Sequence, residues 1–200
     1  MAIEREIKFL DINLEDMRQV LGAKGATCLR PERLMRRTIF DFPDRRLGLI
    51  KAWVRVRDEG DKVTISYKQF FSESLEGMTE VELTAPSYEQ GCLFLTSLGL
   101  TPRSVQESKR ETWTWQGCEI VLDTWPWLPS FMEIEGKTER DLMKVVDALG
   151  FSWEKGIYGG IVEVFKNYYD VTSDEVNQIE ELRFSPVPAW LEERILKKEL

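Results

Sequence analysis

The chain has no histidine among its 200 residues. That removes Ser-His and Cys-His catalysis, and with it the imidazole ligands of the common zinc sites. Cysteine is scarce: Cys28, Cys92 and Cys118 are odd in number and far apart. They read as reduced thiols of a cytoplasmic protein rather than as a disulfide framework. No segment approaches the roughly 18 consecutive apolar residues that a membrane-spanning helix needs. The first residues already carry charge at Glu4, Arg5, Glu6 and Lys8, which predicts that no secretory signal is present. A basic excess is missing too: the net charge is −8, which opposes a nucleic-acid duplex as partner. The glycines at 156, 159 and 160 lack the lysine and hydroxyl of a P-loop. Without imidazole, a bound metal must sit on carboxylates, which selects hard cations such as Mg²⁺, Mn²⁺ or Ca²⁺.

What is present suffices for a core. Apolar residues make up 42% of the chain and charged residues 31%, the balance of a folded globular domain. Charge is unevenly spread. Residues 28–57 hold nine basic against three acidic side chains, and residues 161–200 hold nine acidic against five basic. A local basic region in an acidic protein suits a small polyanion.

Hydrophobic periodicity predicts the order strand, helix, strands, helix, strands, helix. Residues 3–9 alternate apolar and charged with period two, as a strand does. Asp11 or Asn13 then caps a helix with Leu14, Met17, Val20 and Leu21 on one stripe. Strands are expected over 38–42, 52–58, 63–69 and 79–84, with a turn at Glu59-Gly60-Asp61. A helix follows Pro86 and ends near Gly99. Strands resume over 107–115, 119–123 and 131–135, and Thr138 with Asp141 resembles a capping box for a third helix. The expectation is an α+β chain with about eight largely antiparallel strands, enough to close a barrel flanked by helices. Residues 1–170 read as the domain. Residues 171–200 read as a helical appendage, with helices over 173–181 and 189–200 serving packing or a homodimer contact.

Side chains two apart share one face of a strand. Glu4, Glu6 and Lys8 do so, as do Arg55 with Arg57, Glu80 with Glu82, and Glu133 with Glu135. Lys68, Arg110 and Asp123 also fall within strand patterns. One such strand is an ordinary half-exposed sheet. Several, carrying opposite signs, would share an interior if the sheet closes, and charges there must be paired, hydrated or bound to ions. Acid pairs hold hard metals, and Arg and Lys grip phosphate oxygens. Arg33, Arg36 and Arg37 form a further basic group, read as a solvated face, with phosphate contact at the mouth of such a closed interior as the alternative. Trp113, Trp115, Trp125 and Trp127 read as packing aromatics, with stacking on a ligand ring as the alternative.

Glu4-Arg5-Glu6-Ile7-Lys8 resembles the E-x-E-x-K signature of the CYTH superfamily, also called triphosphate tunnel metalloenzymes. The resemblance continues in order through Val54-Arg55-Val56-Arg57, Ser66-Tyr67-Lys68, Glu80-Val81-Glu82, Arg110, Val121-Leu122-Asp123 and Phe131-Met132-Glu133-Ile134-Glu135. It implies an eight-stranded antiparallel tunnel that binds a triphosphate with Mg²⁺ or Mn²⁺. Glu4, Glu6, Glu133 and Glu135 would be metal ligands, with Asp123 close by. Lys8, Arg55, Arg57, Lys68 and Arg110 would hold the triphosphate, with Lys8 and Arg57 catalytic. Glu80 and Glu82 would hold a second metal or orient the cations. The family's Lys-x-Arg becomes Ser108-Lys109-Arg110, which points Lys109 outward and leaves one tunnel cation missing. A tyrosine frequent in the family is Ile39 here. Pro129 and the residues before Tyr158 also depart from the pattern.

Three functions fit this resemblance. The first is a metal-dependent triphosphatase acting on inorganic triphosphate, a nucleoside triphosphate or thiamine triphosphate. The second is a class IV adenylyl cyclase converting ATP to cyclic AMP and pyrophosphate. The third is a non-catalytic polyphosphate or nucleotide sensor.

Overall fold

The computed structural model describes residues 2–196. Strand β1 (Ala2–Glu4) is separated from β2 (Glu6–Phe9) only by Arg5. Helix α1 (Leu14–Ala23) begins where the Asn13 side chain accepts hydrogen bonds from the Glu15 and Asp16 amides, which satisfies two orphan donors of its first turn. Of the two caps expected, Asn13 is the one used. β3 (Thr27–Asp41) and β7 (Thr101–Trp115) are 15 residues each and pair antiparallel along most of their length. Between them lie α2 (Arg46–Leu49), β4 (Ala52–Asp58), β5 (Val63–Phe70), β6 (Met78–Ala85) and α3 (Tyr88–Ser97). After β7 come β8 (Cys118–Thr124), β9 (Phe131–Glu135) and α4 (Glu139–Ala148), the last capped by Thr138 as expected. The chain finishes with α5 (Ile161–Tyr168), α6 (Ser173–Asn177), β10 (Glu181–Leu182) and α7 (Ala189–Glu192).

The strands form one sheet in the order β1-β6-β5-β4-β3-β7-β8-β9-β2, and β10 joins β7 as its only parallel partner. The α+β class and antiparallel pairing match expectation, but the described residues form ten strands rather than about eight. Two causes account for the excess. The N-terminal run pairs with β6 on one stretch and β9 on the next, so it divides at Arg5. The tail supplies the short β10. The hydrogen-bonded path is open, its two ends being the consecutive segments β1 and β2.

The apolar cores lie on the outer side of the sheet. Ile7, Phe9, Ile120, Leu122, Met132 and Ile134 pack against Met17 and Leu21 of α1 and Leu142, Val145 and Val146 of α4. Phe40, Val56 and Ile65 pack against Leu95 of α3. At Gly91 an added Cβ would lie 2.9 Å from a Val56 methyl, so α3 sits too close to β4 for a larger residue. Alternate strand residues point the other way, and they are the charged ones.

A third core joins Trp125, Leu128 and Phe131 to Val164 and Phe165 of α5 and to Val171, Val176, Leu182 and Leu191. Residues 171–196 therefore pack into the body of the protein. Their helices are shorter than expected: α6 stops at Asn177 and α7 at Glu192, and Pro186 and Pro188 interrupt the chain between them. Residues 197–200 of the expected second helix lie outside the described residues. No helix among the described residues is long and apolar enough to cross a membrane.

Candidate functional site

The inward faces of the strands line a cavity of about 990 Å³. Every charged residue singled out from the alternating pattern lines it except Asp123. The two signs separate by strand. Carboxylates gather where β1, β2, β8 and β9 meet, and guanidinium groups gather on β3, β4 and β7.

On the acidic side, Glu135 stands in register with Glu6 on β2 and with Glu119 on β8. Three carboxylates thus lie abreast. Glu135 makes no ion pair among the described residues, and burial, then Glu4, Glu6 and Glu119, pushes its carboxyl up to about 7. Its neighbours are held by lysines. Both Glu4 carboxylate oxygens lie 2.8 Å from Lys68 Nζ. Lys8, 2% exposed, donates to Glu6 and lies 3.5 Å from Glu133. Burial opposes the charge of Lys8, but Glu133 and Glu6 outweigh it and raise its pKa. Burial likewise opposes Glu133, but Lys8 and Arg110 hold it at about 2.

The donor set is all oxygen, which fits a hard divalent cation. Among the described residues, however, no three acidic or thiol side chains converge on one point. Lys8 and Lys68 occupy three of the four carboxylates assigned to metal by resemblance. Asp123 sits apart from them. It is wholly buried beneath Arg110, accepting at 2.8 Å from Nε and again from the guanidinium's terminal nitrogen. Arg110 then reaches Glu133 at 2.9 Å. This bidentate pairing uses the oxygens a metal would need.

On the cationic side, Arg37 and Arg57 face each other in register across β3 and β4. Arg55 lies on the same face as Arg57. Burial, then Arg57, lowers the Arg55 pKa to about 10, and burial with Arg55, Arg57 and Arg110 pushes that of Arg37 down. The Nε atoms of Arg37, Arg55 and Arg57 are all buried without a hydrogen-bond partner. Glu80 bridges Arg55 at 3.4 Å and Lys68 at 3.6 Å, and Glu82 lies 3.7 Å from Arg57.

Sequence reasoning misplaced Arg37, which was grouped with a solvated face. It is 3% exposed and lines the cavity, whereas Arg36 pairs with Asp58 outside. The signal was present: Arg37 and Ile39 are two apart, so they share a face opposite to Arg36. Glu59, assigned to a turn, is also buried and meets Arg57 and Arg33. Glu119 was passed over because it opens its strand. Lys109 points outward as expected, with 49% of its side chain exposed. Trp113 and Trp115 pack on the first core, and Trp127 packs on the third. Trp125 lies under Arg37, and Trp53, with Phe40, Phe70 and Phe131, also lines the cavity.

Solved structures share this architecture. A protein from Pyrococcus horikoshii OT3 is 21% identical with a TM-score of 0.66, over 80% of this chain and 98% of its own. A candidate adenylate cyclase from Vibrio parahaemolyticus is 13% identical with a TM-score of 0.70, over 82% of this chain and 98% of its own. A candidate adenylyl cyclase from Hippeastrum, described as having a dominant triphosphatase activity, is 17% identical with a TM-score of 0.58, over 78% and 91%. At these identities the likeness is one of fold. No curated protein matches the chain. The CYTH domain model matches residues 2–148, nearly the whole sheet and the helices on its flanks, and the chain belongs to that family.

Proposed function

We propose that the protein is a metal-dependent triphosphatase that hydrolyses an organic or inorganic triphosphate inside the charged cavity. One observation carries this reading: three arginines with buried, unpartnered Nε–H groups face a cavity whose other side is a row of carboxylates. Buried donors without partners are costly, and a phosphate chain supplies acceptors to all of them at once. The cavity volume, about 990 Å³, reaches the top of the range for drug-sized ligands, roughly 300–1,000 Å³. It therefore leaves room for a nucleoside or thiamine group beside the phosphates. The Hippeastrum relative's triphosphatase activity agrees with this reading.

In this reading the eight strands that remain when β1 and β2 count as one and the short β10 is set aside surround the triphosphate as a tunnel. Arg55, Arg57, Lys68 and Arg110 bind its non-bridging oxygens and neutralise charge as it shifts during phosphoryl transfer. Glu4, Glu6, Glu133 and Glu135 would hold Mg²⁺ or Mn²⁺, whose chemistry there is to shield phosphate oxygens and orient the chain. Asp123 acts as a positioning residue for Arg110 rather than as a ligand. Glu80 and Glu82 orient Arg55, Lys68 and Arg57. Lys8, its charge secured by Glu6 and Glu133, contributes as a cation. The charged interior and free thiols fit a cytoplasmic protein that needs no nucleic-acid duplex or membrane as partner. Residues 171–200 serve as a closing element of the domain formed by 1–170, or as a homodimer contact.

Adenylyl cyclisation uses the same phosphate contacts, and the Vibrio neighbour keeps it as the second reading. Product analysis separates the possibilities. The protein is incubated with inorganic triphosphate or ATP and either Mg²⁺ or Mn²⁺. Orthophosphate supports the hydrolase. Cyclic AMP with pyrophosphate supports the cyclase, and tight binding without turnover supports a sensor.

A further inference from the structure

Arg37 is a buried guanidinium without a counter-ion. Its residue is 3% exposed, and it makes no ion pair among the described residues. Its charged neighbours are mostly cations: Arg57 stands directly opposite, and Arg55 and Arg110 act on it too, while the one carboxylate that does, Asp123, is already held by Arg110 through both its oxygens. It donates to the Ser108 hydroxyl, and its Cζ lies 4.3 Å from the centroid of the Trp125 ring. Its Nε–H has no partner. A guanidinium carries five N–H donors and stays protonated in proteins. One hydroxyl and a ring face leave most of that capacity unused. Removing such a charge from water costs several kcal/mol unless an anion answers it. The carboxylates near it are held by other cations: Glu59 and Glu82 by Arg57 and Lys62, Glu80 by Arg55 and Lys68, and Glu133 by Lys8 and Arg110.

Ser108 explains why an arginine is tolerated here. It is wholly buried and, two residues before Arg110, shares the inward face of β7. In the Lys-x-Arg pattern noted above this position carries a lysine, which would fill the space Arg37 now enters. A serine removes that volume and that charge together, and leaves a hydroxyl to accept from the guanidinium arriving from β3. The aromatic plane of Trp125 fixes the guanidinium from one side.

We propose that Arg37 is a triphosphate-binding residue, supplying from β3 the tunnel cation that Ser108 cannot supply from β7, with Ser108 and Trp125 as its positioning residues. The inference rests on the triphosphate reading above. The phosphate chain provides the missing counter-charge, and the guanidinium is oriented before the ligand arrives.

The test compares the full chain with Arg37→Met, which keeps the stem packed on Trp125 and removes the charge. Binding of inorganic triphosphate with Mg²⁺ is measured by calorimetry, alongside ligand-free melting. The expected result is a Kd weaker by about 10- to 100-fold, the worth of one charge-assisted contact, with a ligand-free Tm unchanged or higher. Arg37→Lys should recover part of the affinity. Arg37→Met combined with Ser108→Lys should also recover it, because the cation returns from the neighbouring strand. An Arg37→Met protein that binds as tightly as the parent overturns the inference and leaves the tunnel intact. A lowered ligand-free Tm, with no recovery by either lysine, makes Arg37 structural and overturns it as well. A parent protein that binds no triphosphate overturns both readings.

Discussion

Replacing Glu135 by Gln should stabilise the metal-free protein, and only above mildly acidic pH. Glu135 stands between Glu6 and Glu119 in register and near Glu4, with no ion pair among the described residues. Burial and then these three carboxylates raise its pKa from 4.5 to about 7. The folded protein therefore holds this proton more tightly than the unfolded chain does. Stability falls as pH rises from about 4.5 to about 7, because only the unfolded chain ionises freely in that window. At one pKa unit per about 1.36 kcal/mol, the full shift would be worth roughly 3 kcal/mol. The side chain is exposed at the cavity rim, so solvent screening reduces this to about 1 kcal/mol. For a chain of this size that is about 2–4 °C in Tm. Thermal melts in EDTA at low salt should show Glu135→Gln above the parent at pH 8 and equal to it at pH 4.5. Added Mg²⁺ or Mn²⁺ should raise the parent more than the variant, because a cation answers the same crowding. A variant that melts below the parent at pH 8 would refute the repulsion argument.

Triphosphate with metal should raise Tm more than pyrophosphate or phosphate at equal concentration, and Arg57→Ala should remove most of that gain. Equal shifts from all three anions would count against a tunnel for linked phosphates. Lys8 has its pKa raised by Glu133 and Glu6 against burial, so it should stay protonated well above neutrality and act as a cation rather than as a proton acceptor. Lys8→Arg, which keeps the charge, should leave the shape of the pH–rate profile unchanged; a limb lost in the variant alone would show that Lys8 gives up its proton. Gly156→Ala should destabilise by about 1–3 kcal/mol in urea titration, because the new Cβ would lie 2.2 Å from an Ile7 methyl. Lys8 and Ile157 exchange backbone hydrogen bonds at 2.9 Å, so turnover should fall with stability; an unchanged midpoint would mean that β2 yields at no cost.

Alternation along single strands carried most of the site. Glu4, Glu6, Lys8, Arg55, Arg57, Glu80, Glu82, Glu133 and Glu135 were recognisable because period two depends only on local backbone geometry. The caps at Asn13 and Thr138 were readable for the same reason, since a cap joins residues only two or three apart. What required the tertiary structure was everything decided between strands. Asp123 is held by Arg110 because the two stand opposite each other on β8 and β7, a pairing no single strand shows. Arg37 changes from surface to interior because β3 extends back to Thr27, beyond the strand expected from its apolar end. The tail joins the body through Leu182 and Leu191, whose burial depends on Trp125 and Phe131 more than 50 residues earlier. Sequence alone determined which residues carry charge on a common face. Only the fold decided which of those charges answer one another, because pairing depends on register, and register is a long-range property of the whole sheet.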